Sequence, residues 1–331
     1  MLPRDGAAST KSRFATGAGL AALGRRYGAL AALALLLLYN LLFTRNFLST
    51  QTLYVNLTQV ATIVIVAVGM TLVVATGGID LSVGSLMAIA GALAPLIFLS
   101  QAPALSNPAI AIPLAFVLPV LVTAALGLFN GVLVTSYRIQ PIIATLVLYI
   151  AGRGIAQVMT NGYLQSFKNP AFQSIGLGRP LGIPVQVILM LIVVAVAAWA
   201  VRSTVFGRYV LAVGGNEAAA RLAGAPVSSV KRSVYVISGA LAGIAGLIVI
   251  AINSASDANL VGQNMELDAI AAVAVGGTPL TGGRALVIGT LVGALIIQLI
   301  RFTLISNGVP YAAAQIINAA IILGAVYIQR P

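Results

Sequence analysis

The sequence predicts an all-α integral membrane protein of about ten transmembrane helices, and three observations carry that expectation. Hydrophobic residues fill 60% of the 331 positions and charged residues only 7%, against roughly 25% charged in soluble domains. Apolar runs long enough to cross a bilayer recur from Tyr27 to Ile328. The basic residues punctuate those runs instead of clustering on one face. One globular core could not bury so much apolar surface, and no polar stretch is long enough for a soluble domain.

The elements follow in order. Residues 1–26 form a basic tail (Arg4, Lys11, Arg13, Arg25, Arg26) ahead of a first span at 28–44. That run ends in Tyr39-Asn40-Leu41-Leu42-Phe43 with no small-x-small cleavage site, so it reads as an uncleaved helix with the tail in the cytoplasm. The second span, 53–75, stops at Gly77-Gly78, and the third, 82–99, restarts behind Asp80. Spans at 109–135 and 140–160 flank Arg138. A polar outer stretch, 161–182, leads to a span at 183–201, and a polar inner stretch, 202–231, leads to 232–253. The eighth span, 266–283, is weak. Its apolar run ends at Val275 and gives way to Gly276-Gly277-Thr278-Pro279-Leu280-Thr281-Gly282-Gly283, so a half-helix or re-entrant segment is the alternative. Spans at 285–305 and 310–328 close a single transmembrane domain over 27–331.

Ten crossings with the N-terminus inside return the C-terminus to the inside. Arg4, Lys11, Arg13, Arg25, Arg26, Arg138, Arg202, Arg208, Arg221, Lys231, Arg232, Arg284 and Arg330 then fall on the inner side. Arg45, Lys168, Arg179 and Arg301 fall on or near the outer side, and Arg153 lies within a span. Thirteen against four obeys the positive-inside rule.

Several functions are excluded. The net charge of +12 is topological and lacks the basic face of a nucleic-acid binder. With no cysteine or histidine, thiol chemistry, zinc sites and Ser–His hydrolysis drop out. There is no P-loop, and the only lysines are Lys11, Lys168 and Lys231, so the chain carries no ATP site of that kind. These readings leave a protein that moves a solute and is not an enzyme.

Three segments hold the polar chemistry. In Thr76-Gly77-Gly78-Ile79-Asp80-Leu81-Ser82-Val83-Gly84, the glycines allow a sharp turn and Asp80 stands where a helix N-cap would sit. Either it caps a helix at the interface, or Asp80 and Ser82 lie at the inner end of a permeation path; a carboxylate at membrane depth costs about 3 kcal/mol on insertion scales. Outside, Asp257, Glu266 and Asp268 are three of the six acids and fall within twelve positions, accompanied by Asn253, Asn259 and Asn264. Such groups hydrogen-bond hydroxyl-rich ligands; the alternatives are salt bridges to a docking protein, or a solvated loop with Asp268 as another N-cap. Matching Ile79-Asp80-Leu81 and Leu267-Asp268-Ala269 suggest an inverted repeat of 53–160 and 232–328. Inside, Asn216 can cap a short helix in which Glu217 pairs with Arg221, ended by Gly224. Gly239-x-x-x-Gly243 and Gly289-x-x-x-Gly293 suit tight helix crossing within one subunit.

Taken together, Gly77-Gly-Ile-Asp-Leu-Ser-Val-Gly84, Gly214-Gly-Asn-Glu-Ala-Ala-Ala-Arg-Leu-Ala-Gly224 and Glu266-Leu-Asp-Ala-Ile270 with Gly276-Gly277 resemble the permease subunits of ribose-type sugar ABC importers. The resemblance covers residues 50 to 328. Arg138-Ile-Gln-Pro-Ile-Ile-Ala-Thr-Leu146, Ala151-Gly-Arg-Gly154 and Asp257-Ala-Asn259 are most similar to galactofuranose importer permeases. The resemblance implies a multi-pass subunit of the bacterial inner membrane, dimerised with itself or a sister permease. It implies cytoplasmic ATP-binding subunits, which hold the ATP and Mg, and an extracytoplasmic sugar-binding protein. It makes Gly215, Asn216, Glu217, Ala218, Ala219, Arg221 and Gly224 the coupling loop that docks the ATPase, without the Ile-x-Leu-Pro tail of the wider importer signature. An ion-coupled secondary transporter is the alternative. It would need acids at the bilayer midplane, and every acid here lies near a predicted span end or in a loop.

Overall fold

The computed structural model describes residues 28–328; the tail at 1–26 and Arg330 lie outside the described residues. The helices are α1 (Gly28–Phe43), α2 (Thr50–Ala75), α3 (Val83–Phe98), α4 (Pro108–Thr135), α5 (Pro141–Met159), α6 (Pro170–Leu177), α7 (Val185–Ser203), α8 (Val205–Gly215), α9 (Glu217–Leu222), α10 (Val227–Asn253), α11 (Met265–Val275), α12 (Val287–Ser306) and α13 (Tyr311–Ile328). Two short strands, β1 (Gln165–Ser166) and β2 (Ala255–Ser256), pair antiparallel.

Local chemistry explains the boundaries. Proline opens α4, α5 and α6, where its missing N–H costs nothing. Ser49, Asn107 and Asn169 accept from the first-turn amides of α2, α4 and α6, as capping residues do.

Six of the described helices (α2, α4, α5, α7, α10 and α12) are long and apolar enough to cross a membrane. Most expected spans fall within a few residues of a helix. Two expectations change. Helix α10 starts at Val227, not 232, so Lys231 and Arg232 sit inside it. The eighth span does not run from 266 to 283, because α11 stops at Val275 after 11 residues. Gly277, Gly282 and Gly283 take positive φ, which a helix cannot contain.

Helices α2 and α10 form the centre and pack on each other. Helix α2 is enclosed over its last sixteen residues, Val60–Ala75, which explains why its sequence is apolar on every face. Around this pair the contacts exchange between halves. Helix α10 packs on α3 and α4 as α2 packs on α11 and α12; α3 packs on α4 and α5 as α11 packs on α12 and α13. Gly239 and Gly243 press on Thr123 of α4, while Gly289 and Gly293 press on Gly276 and on Ala272 of α11. Both small-residue pairs therefore serve packing inside one chain. At the far end of α3, Phe98, Phe116, Phe167 and Phe172 form one cluster with ring centroids 4.9–5.7 Å apart.

Candidate functional site

Two interrupted segments meet at the centre. Gly69 of α2 lies 3.0 Å from Ser238 of α10, measured from where its Cβ would stand. Helix α2 continues six residues, about 9 Å, past that level. Yet Asp80 hydrogen-bonds Ser238, so residues 76–80 fold back into the protein. Ser238 itself is eleven residues into α10, about 16 Å from its start. The reading of Asp80 as an interfacial cap is thus corrected: the residue is deep and fully buried.

Asp80 Oδ1 accepts from the Ser82 amide at 3.0 Å and the Ser82 hydroxyl at 2.6 Å, and Oδ2 accepts from the Ser238 hydroxyl at 2.8 Å. Asn130 Nδ2 donates to Ser82 Oγ at 2.9 Å. Ser82, not Asp80, occupies the cap position of α3. Among the described residues no ion pair reaches Asp80, so two hydroxyls and one backbone amide carry the solvation of this carboxylate. Asn130 Oδ1 and Tyr235 Oη, buried nearby, have no hydrogen-bond partner among the described residues.

The second segment descends from the other end. After Ser254 (φ 53°) and β2, a turn closes through Leu260 N and Val261 N, both donating to Asp257 O. Asn259 N donates to Asp257 Oδ1 at 2.8 Å. Gly262 and Asn264 then take positive φ before α11 begins. A Cβ on Gly84 would strike the Gly262 carbonyl and stand 2.5 Å from Glu266 Oε2. The first turn of α3 and the bend just ahead of α11 therefore touch backbone to backbone.

Gly84→Ala is expected to force these elements apart, because a carbonyl cannot swing aside as a side chain can. A loss of about 1–3 kcal/mol follows by analogy with overpacked cores, read as a lower melting temperature in detergent. An unchanged melting temperature would contradict the contact.

The expected site residues divide accordingly. Asp80 and Ser82 share one network. Asp257 and Asn259 lie in the descending turn, joined to α5 by Gln157 Nε2, which donates to Asn259 Oδ1 at 2.7 Å. Asn253 is exposed at the end of α10, and Glu266 is buried at the start of α11 with Oε2 unpartnered among the described residues. Asp268 does not cap α11, whose cap position is Asn264; its two oxygens accept from Arg301 Nη2 at 2.7 Å. Asp80 and Glu266 stand near the ends of apolar runs in the sequence, yet both are buried inside the protein. Sequence reasoning passed over Asn130, Tyr235, Ser238 and Gln157. Only Arg153, charged inside a span, carried a visible signal.

The 214–224 loop has the expected form. Asn216 Oδ1 accepts from Ala219 N at 2.9 Å, and Glu217 pairs with Arg221 at 3.0 Å and with Lys231 at 2.5 Å. The Lys231 hydrogen bond above all, then Arg221, holds the Glu217 carboxyl below its ordinary 4.5 against a smaller opposing effect of burial. Gly224 takes φ +81°, ending α9 as a helix C-terminus requires. Gly215, Asn216, Glu217, Ala218, Ala219, Arg221 and Gly224 are all exposed, as is Leu222 at 90%. Gly214 is wedged against the Ala75 carbonyl and Gly283, and Gly283 N donates to Ala75 O at 3.0 Å. Gly282 lies against Gly77. The exposed loop is thus bolted to the end of α2, where the first interrupted segment begins, and to the bend after α11.

Comparison with known proteins follows the same outline. Residues 52–326 match the family model described as branched-chain amino acid transport system / permease component. Ribose import permease protein RbsC of Escherichia coli (strain K12) is 43% identical over 289 residues, covering 86% of this chain and 87% of the relative. Galactofuranose transporter permease protein YtfT of the same strain is 39% identical, covering 82% and 78%. Fructose import permease protein FruF of Bifidobacterium longum is 38% identical, covering 83% and 76%. No solved structure matches the chain.

Proposed function

The chain belongs to the branched-chain amino acid transport system / permease component family, and on that premise we propose that it is the membrane permease subunit of an ATP-driven sugar importer. The observation that carries this reading is the exposed α8–α9 loop, locked through Gly214 to the bend that opens the first interrupted segment. A push on that loop moves the end of α2 and the 276–283 bend together. The similarity to sugar import permeases supports a monosaccharide, a pentose or hexose, as cargo; identities of 43% and 39% do not separate ribose from galactofuranose.

In this reading, residues 76–98 and 254–275 each cross the bilayer as an extended stretch plus a half-helix. Unwound backbone at membrane depth is tolerated where protein shields it. With α1, α2, α4, α5, α7, α10, α12 and α13 this makes ten crossings, with both chain ends cytoplasmic in the inner membrane. The exchange of packing partners between halves supports an inverted repeat of α2–α5 and α10–α13. Asp257 and Asn259, with Gln157, face the substrate at the outer end, and Asp80, Ser82, Asn253, Glu266 and Asp268 complete the set along the path. The partners are two ATP-binding subunits that hold ATP and Mg, a second permease and an external sugar-binding protein. The permease itself holds no cofactor.

Purification of the tagged chain from its native membrane is expected to retain a P-loop ATPase, and the reconstituted complex to import a monosaccharide only with ATP and the binding protein. Sugar uptake by the chain alone, driven by an ion gradient, would replace this reading with a secondary transporter.

A further inference from the structure

Arg153 is the one charge inside α5, and it finds no carboxylate within ion-pair distance among the described residues. Gly152 beside it lets α5 approach α3, since a Cβ there would stand 2.9 Å from Ser85 Oγ. That approach brings the guanidinium over the descending turn. Arg153 Nη1 donates to the carbonyls of Ala258 at 2.8 Å and Val261 at 2.6 Å and reaches Asn259 O at 3.4 Å; Nη2 reaches Gly84 O at 3.5 Å.

The chemistry of these acceptors matters. The 257–261 turn ends like a helix, with carbonyls that have no partner inside it. A cation is the natural cap for such an end. One side chain on α5 thereby ties a turn from the other half of the molecule to the first turn of α3. The only other side-chain tie from α5 to the turn, among the described residues, is Gln157 to Asn259. A second partner stands close by. Glu266 Oε2, buried and unpartnered among the described residues, lies against Gly84 on the edge that Arg153 Nη2 reaches.

We propose that Arg153 is the latch of an outer gate: it holds the carbonyl end of the 257–261 turn across the junction of α3 and α11, and releases it toward Glu266 when the path opens outward. This rests on the permease reading and names the positioning residue of that path. Neutral carbonyls hold a guanidinium less tightly than a carboxylate does, so Glu266 offers the departing cation a competing partner.

In the reconstituted complex, Arg153→Lys keeps a cation at this place but loses the forked donors that span the Ala258 and Val261 carbonyls, and its ratio of sugar imported per ATP hydrolysed is expected to fall between those of the parent and of Arg153→Gln. Arg153→Gln itself is expected to lower sugar imported per ATP hydrolysed by about tenfold, from the loss of charge-assisted hydrogen bonds, with the same amount of complex in the membrane. A merely structural role would lower complex yield and leave that ratio alone. An unchanged ratio in the Arg153→Gln variant overturns the latch. Absence of ATP-dependent uptake in the unmodified complex would instead overturn the permease reading beneath it.

Discussion

Replacing Asp80 by Ala is expected to remove the protein from the membrane fraction, whereas Asp80→Asn leaves it folded. The Ala variant strands three donors, the Ser82 amide, the Ser82 hydroxyl and the Ser238 hydroxyl, in a fully buried place. Each unsatisfied buried group costs about 1–3 kcal/mol. Removing a charge that lacks an ion-pair partner offsets part of this, but the sum still approaches the 5–15 kcal/mol, or about that, by which most domains are stable. Asn at this position keeps one carbonyl oxygen for Ser82, and the Ser238 hydroxyl can rotate to accept from the new amide. Its stability is therefore expected within about 1 kcal/mol of the parent. Melting in detergent and the amount of membrane-inserted protein measure both variants. An Ala variant that melts with the parent would show that the Asp80 network does not hold the 76–82 segment in place.

The second large effect falls on the 214–224 loop. A Glu217→Lys, Gly224→Pro double variant is expected to insert normally yet lose ATP-driven uptake by at least about tenfold, the order of a small coupling energy. Lys at 217 replaces the acid that both Arg221 and Lys231 contact and leaves three cations facing one another. Proline fixes φ near −65° and cannot adopt the +81° of Gly224. The stability lost is small because the Glu217–Arg221 pair is largely exposed, surface ion pairs contribute little, and the half-exposed Glu217 side chain gives a lysine there room to turn to solvent. What fails is the shape of α9, which presents Leu222 and its alanines outward. Parent-level uptake in the double variant would remove this loop from the coupling path.

Much of this was readable along the chain. The Asn216 cap, the Glu217–Arg221 pair and the Gly224 stop are contacts spanning four residues or fewer, so composition and spacing determine them. The long helices were legible for the same reason, since an apolar run of sufficient length has one stable form in lipid. The candidate site was less legible. Ser238 lies 158 positions from Asp80, and Arg153 lies 105 positions from Ala258. Nothing in either local sequence announces the partner. Asp268 illustrates the limit: its place at a helix start suggested a cap, but Arg301, 33 residues on, engages the carboxylate.

The sequence by itself therefore determined the all-helical membrane class, the polar motifs and the form of the 214–224 loop, because each depends on hydrophobic length or on neighbours within a helical turn. Only the tertiary structure decided how deep the acids lie. Depth follows from the Gly77 and Gly262 bends and from backbone contact at Gly84, which fold each interrupted segment back into the protein. A residue at the end of an apolar run is at the surface only if the chain leaves there, and at Asp80 it turns inward.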